Sequence, residues 1–131
     1  MTGSEYPITL LTASILGLIY FGLCYNVVKN RIKAMKQEDF DQEVLDRMVR
    51  VQCNFIEYVP IVLILLGLLE NAGAKTYILL GVSIGIIVGR ILHAWGLASK
   101  AGTSFGRYYG TVLTWLALLT ASIAGLVTIF A

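Results

Sequence analysis

Residues 6–28 read YPITLLTASILGLIYFGLCYNVV and contain no Asp, Glu, Lys or Arg. A helix needs about 20 apolar residues to cross the hydrocarbon core of a bilayer, so this stretch predicts a first membrane span. The uncharged run is too long for the h-region of a signal peptide, and no basic segment precedes it, which predicts that the span is retained. Applied along the chain, the same reading gives three more spans. The second runs from about Val51 to Leu69 and is broken only by Glu57. The third runs from Thr76 to about Leu97, with Arg90 and His93 inside it, and the fourth, Tyr108 to Ala131, has no charge at all. The turn Glu70-Asn-Ala-Gly-Ala-Lys75 has the length of a link between antiparallel helices. Four such spans fill 131 residues. The chain, 1–131, therefore reads as a single domain, an all-α integral membrane four-helix bundle.

Composition agrees. Hydrophobic residues make up 57% and charged residues 14%, against about 45–50% and about 25% in soluble chains. This excludes a disordered chain, and a net charge of +2 supplies no basic field for nucleic acid. Cys24 and Cys53 are the two cysteines, too few for a disulfide framework or a zinc site. They read as packing residues. The basic residues set an expected orientation. Lys29, Arg31, Lys33, Lys36, Arg47 and Arg50 flank the first connection, and Lys100 and Arg107 flank the third, whereas the opposite side has Lys75. The positive-inside rule puts the long first connection and the third connection in the cytoplasm and both termini on the other side.

Gly81, Gly85 and Gly89 form a Gly-xxx-Gly-xxx-Gly series on span three, which predicts close approach of another helix. Ser83 and Gly96 are read as lying off that stripe. The partner is either span two of the same chain or a neighbouring subunit.

The second span opens Arg50-Val-Gln-Cys-Asn-Phe-Ile-Glu-Tyr-Val-Pro60. At about 100° per residue Arg50, Asn54 and Glu57 share a narrow sector of the helix. A charge at bilayer depth costs at least about 2.5 kcal/mol, so the stripe must face the bundle interior, a partner or a ligand. Glu57 and Arg90 are expected at similar depth on antiparallel helices, which predicts an ion pair between them that registers the two helices. Pro60 removes a helical hydrogen bond one turn beyond Ile56, and a kink there would open space beside Glu57. No cluster with metal-ligand spacing, no Ser-His-acid arrangement and no phosphate loop is present, so no metal is expected.

The run Arg50-x-Gln52-x-Asn54-x-x-Glu57-Tyr58-x-Pro60 resembles the second-helix signature of the MAPEG family, the membrane-associated proteins in eicosanoid and glutathione metabolism. Gly89-Arg90-x-x-His93 is similar to the third-helix motif of its prostaglandin E synthase branch. The resemblance extends over nearly the whole chain and is to bacterial-type members related to microsomal glutathione transferases and leukotriene C synthases. It implies a homotrimer that binds glutathione as co-substrate between subunits near the cytoplasmic side. By position it implies glutathione contacts at Arg31, Arg50, Gln52, Asn54, Glu57, Tyr58 and His93. It also implies that Arg107 is the catalytic, thiolate-stabilising arginine. The chain departs from the pattern at Leu97, where glutathione-binding members commonly carry a tyrosine, and Tyr108 or Tyr109 is the candidate replacement.

Three functions fit these residues. One is a membrane glutathione transferase or peroxidase-like enzyme acting on hydrophobic electrophiles. Another is a non-catalytic lipid-binding or scaffold member of the same family. The third is a small channel or transporter, which would repeat polar residues along a whole face. Here they cluster in one half of the spans. The expected partners are other copies of the chain, the bilayer, and hydrophobic small molecules or lipids.

Overall fold

A computed structural model describes residues 7–99 and 104–131. Its elements are α1 (Ile8–Lys36), α2 (Gln42–Asn71), α3 (Thr76–Ser99) and α4 (Phe105–Phe130). All four are long and apolar enough to cross a membrane. Lys100, counted above with the third connection, and Tyr6, the first residue of the expected first span, lie outside the described residues.

The helices outrun the apolar spans. α1 continues eight residues beyond Val28, and α2 begins nine residues before Val51, so most of the polar stretch 29–50 is helical. Lys, Arg, Met, Gln and Glu are good helix formers, and span length measures only the part that meets lipid. Lys33 and Lys36 lie in the last turn of α1, where a positive charge complements the helix dipole. Asp41 caps α2 by accepting from the Glu43 N–H at 3.0 Å. α4 likewise starts at Phe105, three residues before the expected Tyr108, because Ser104 caps it through the Arg107 N–H at 3.3 Å. α2 runs as one helix through Pro60.

α2 is closed by Gly73, whose φ of 77° is the left-handed conformation that glycine adopts freely. The Gly73 N–H reaches the Glu70 carbonyl and the Ala74 N–H the Leu69 carbonyl, the paired bonds of a Schellman ending. The chain then reverses directly into α3.

Packing follows one stripe per helix. α2 buries Val51, Phe55, Val59, Val62, Leu66 and Leu69, and α3 buries Leu79, Val82 and Ile86 opposite them. α1 and α4 cover different flanks of this pair and do not touch each other among the described residues. Large apolar residues stay exposed at mid-span on every helix; Leu18, Ile64, Ile84 and Leu119 are each more than half exposed. No water-soluble monomer carries an apolar surface on all sides, and lipid is the solvent such a surface requires.

The closest packing is between α3 and α4, through glycine. A Cβ added at Gly85 would meet the Ala117 Cβ at 3.4 Å, and one at Gly89 would meet the Gly110 carbonyl oxygen at 3.0 Å. A Cβ at Gly96 would press on the backbone of Gly106 at 2.7 Å. The Gly-xxx-Gly series thus meets span four of the same chain, neither of the two partners expected for it. Gly81 stands apart, with nothing within 4 Å. Gly96, expected off the stripe, is on it: seven residues after Gly89 is two helical turns. Ser83 faces α1 and shares a buried hydrogen bond with the Thr12 hydroxyl.

Glu70, just past the second apolar span, ties α1 to α2. Its carboxylate oxygens accept from the backbone N–H of Ile8 at 2.7 Å and of Thr9 at 2.8 Å. These are orphan donors of the first turn of α1, whose N-cap is Pro7 without a capping side chain. Burial works to raise the Glu70 pKa, but the contacts from Thr9 and the Ile8 N–H outweigh it and hold the carboxyl below its usual value. A depressed carboxyl contributes stability that is complete above its unfolded pKa of about 4.3 and is lost as pH falls through the folded value. Glu70→Gln is expected to cost about 1–2 kcal/mol at pH 7 and to reduce the loss of stability between pH 5 and about pH 3. Unfolding by denaturing detergent at the two pH values measures both effects.

Candidate functional site

The buried stripe of α3 continues past Ile86 as Arg90, His93 and Leu97, all between 1% and 3% exposed. The same i, i+3, i+4 spacing that carries the core therefore brings two polar side chains into the bundle. Arg90 reaches α2. Its Nη1 donates to the Asn54 carbonyl oxygen at 3.4 Å, and its guanidinium lies 5.7 Å from the centre of the Tyr58 ring, a cation–π placement. The Tyr58 hydroxyl in turn accepts from the Trp115 indole N–H of α4 at 3.1 Å. Asn54, Arg90, Tyr58 and Trp115 thus form one polar line across three helices.

The expected ion pair between Glu57 and Arg90 is not formed. An ion pair does form on α2, between Arg47 and Glu43 at 3.9 Å. Glu57 is two residues from both Phe55 and Val59 of the buried stripe, about 160° around the helix, and is exposed on the outer face. Arg90 does arrive between residues 54 and 58, at the depth expected, but it fills the groove between helices while Glu57 points out of the bundle. Arg50 is exposed on the same outer face of α2. Of the alternatives for the polar stripe, the interior of the same chain is excluded for Arg50 and Glu57. A partner or a ligand remains.

Gln52 is half-buried and donates from Nε2 to the Cys24 sulfur at 3.2 Å. Arg31 is exposed on the extension of α1. Cys24 and Gln52 being level, and α1 antiparallel to α2, Arg31 stands about 7 Å further out than Arg50 along the bundle axis. Cys53 is exposed.

Arg107 is half-buried in the first turn of α4. Its position is set by backbone packing. A Cβ at Gly106 would come within 2.6 Å of the Leu92 carbonyl oxygen, and one at Gly110 within 2.5 Å of the His93 N. These glycines seat the start of α4 on the His93 turn of α3, and His93 lies in the electrostatic field of both Arg90 and Arg107. Leu97 is buried. Tyr108 and Tyr109 are exposed and pack on each other edge to face at 5.1 Å, with Phe105 against Tyr109.

The structure therefore brings Asn54, Tyr58, Arg90 and His93 together, with Arg107 beside them. Arg31, Arg50 and Glu57 sit on the outer surface. Trp115 was missed by sequence reasoning, since one tryptophan in an uncharged span carries no spacing signal. Gly106-x-x-x-Gly110 was a readable small-residue motif, the counterpart on α4 of the series on α3. Two buried atoms of the cluster, Arg90 Nε and Asn54 Oδ1, have no hydrogen-bond partner among the described residues. Arg90 is thus a buried cation with an unused donor, and Glu57 is near enough to act on it electrostatically but lies outside ion-pair distance.

Comparison with known proteins agrees with this architecture. Inner membrane protein YecN of Escherichia coli strain K12 is 28% identical over 120 residues, which is 91% of this chain and 90% of that protein. YecN of Escherichia coli O6:H1 matches to the same extent. No solved structure matches the chain significantly. With four spans and relatives in the inner membrane, this is an integral multi-pass membrane protein. The family model of MAPEG matches residues 9–127, which include every candidate site residue and all four helices but for the first residue of α1 and the last three of α4, and the chain belongs to that family.

Proposed function

We propose that the chain is a membrane glutathione-dependent transferase or peroxidase-like enzyme that acts on hydrophobic electrophiles dissolved in the bilayer. The observation that carries this reading is Arg90, 1% exposed, with no carboxylate in ion-pair range, an unused Nε, and on α2 an unused Asn54 Oδ1. Glutathione fits that set, because its carboxylates and amide groups offer an acceptor to Arg90 and a donor to Asn54. Bound there, it supplies a thiol that is nucleophilic once ionised.

The chain's own residues divide the work. Arg31 and Arg50 supply guanidinium forks for carboxylates at the mouth of the site. Glu57 is an acceptor for an ammonium group on the outer face of α2. Arg107, at the N-terminal end of α4, holds negative charge at the sulfur, and the helix dipole adds to its effect. The exposed apolar flanks of α3 and α4 admit the electrophile from lipid. Exposed charges on the outer face of α2 are completed by a second copy of the chain, as in a homotrimer with the site between subunits. The basic ends of α1, α2 and α4 face the cytoplasm in this assembly.

Leu97 favours a second reading. A buried leucine at the position where glutathione-binding relatives commonly have tyrosine supplies no hydroxyl, which suits a lipid-binding member without catalysis. One experiment separates the two. Glutathione is added to the detergent-purified protein, and thiolate absorbance at the ultraviolet edge is followed together with conjugation of several electrophiles. A thiolate signal and conjugation are expected. Absence of both removes the enzyme and leaves the lipid-binding reading.

A further inference from the structure

The α3–α4 pair is wedge-shaped. A Cβ would meet the facing backbone or side chain at 2.5 Å at Gly110, 3.4 Å at Gly85 and nothing within 4 Å at Gly81. The helices touch at the Arg107 end and part at the other. Where they part, a groove of about 600 Å³ opens between the α2–α3 turn and the last turns of α4, with Lys75, Tyr77, Ile78, Ile123, Ala124 and Val127 among its lining residues.

Charge in this groove is confined to its mouth. Lys75 is the one Lys or Arg between Arg50 and Arg90 in the sequence, and it has no ion-pair partner among the described residues. Glu70, the acid nearest in sequence, is occupied by the N–H groups of Ile8 and Thr9. Below the mouth the walls carry no charge, are apolar apart from Thr120 and Thr128, and follow the axis of α4 toward mid-membrane. Residues 120 to 128, which bound the groove on α4, span about 12 Å at 1.5 Å per residue. Tyr77, exposed at the rim, is of the amphipathic type that settles at the headgroup level.

We propose that this groove is a binding site for one acidic phospholipid, with Lys75 on the headgroup phosphate and an acyl chain laid between α3 and α4. An unpaired cation over an apolar trench that runs along the membrane normal matches an anionic amphiphile in both charge and shape. The site is at the opposite end of the bundle from Arg90 and Arg107 and does not depend on glutathione chemistry.

The test uses the full chain in nanodiscs of phosphatidylcholine containing a minor fraction of photoactivatable phosphatidylglycerol, with crosslinked peptides located by mass spectrometry. Mapping by position separates this groove from the basic ends of α1 and α2, which also attract anionic lipid. Crosslinks are expected in residues 72–78 and 120–128, reduced about fivefold by Lys75→Gln, the effect of one lysine at an anionic surface. Ala124→Phe, which fills the trench, is expected to remove them while leaving crosslinks at the basic end unchanged. Equal labelling by a phosphatidylcholine probe, insensitivity to both substitutions, or displacement by inorganic phosphate would overturn the proposal.

Discussion

Arg107→Ala is expected to abolish the glutathione thiolate signal at pH 7 while leaving glutathione binding largely intact. The split follows from where the charges lie. Arg107 sits in the first turn of α4, while the cations assigned to carboxylate binding, Arg31 and Arg50, lie on α1 and α2. A free thiol has a pKa of about 8.5, so only a few per cent is ionised at pH 7. An adjacent guanidinium lowers such a pKa by about 1–3 units. Its removal is therefore expected to cut the thiolate fraction, and kcat with it, about 8- to 30-fold at neutral pH. The loss shrinks as pH rises toward 9, where the thiol ionises unaided. Arg107→Lys keeps a charge but not the planar fork and is expected to retain part of the signal. If Arg107→Ala leaves both thiolate and pH profile unchanged, Arg107 is an interfacial anchor and the sulfur lies elsewhere. If it abolishes binding as well, Arg107 holds a carboxylate.

Spans were legible because lipid imposes a length and forbids charge, two constraints visible in any window of the chain. The polar helical extensions of α1 and α2 escaped the same criterion, since their residues are helix formers that never meet the hydrocarbon core. The polar residues of α2 and α3 stood out in the sequence, but the direction of Glu57 was misread. Depth along a helix follows directly from residue number, which put Arg90 level with Glu57, and the side chain does arrive between residues 54 and 58. Direction around the helix had to be measured from the buried stripe, and the core residues Phe55 and Val59 put Glu57 on the opposite side. Extending the α3 stripe Leu79-Val82-Ile86 would have placed Arg90 and His93 inside. Glu70 left no such trace. Its partners are 61 and 62 residues away, and a carboxylate at the end of a span reads as one more solvated charge.

Gly110→Ala is expected to destabilise the bundle by about 1–3 kcal/mol, the cost of overpacking a close contact, and to weaken the site in the same step. The added methyl would fall 2.5 Å from the His93 N and 2.6 Å from the Gly89 carbonyl oxygen. Both are backbone atoms in the middle of α3, so no rotamer change relieves the contact and α4 must shift as a body. Arg107 is one turn away on α4 and His93 is at the point of contact. Any displacement that frees the methyl therefore also moves Arg107 relative to Arg90. Gly106→Ala, which would meet the Leu92 carbonyl oxygen at 2.6 Å, is expected to behave alike. Gly81→Ala is the control, with nothing within 4 Å of the new atom and an expected change within about 0.5 kcal/mol. Denaturing-detergent titration of the three variants, followed by helical circular dichroism, gives the stability order, and the thiolate signal read below the transition reports the site. If Gly110→Ala matches Gly81→Ala in both readouts, backbone contact between α3 and α4 is not what sets the distance between Arg107 and Arg90. If stability falls and the thiolate signal is unchanged, the glycines serve packing alone and Arg107 is positioned by its own side-chain contacts.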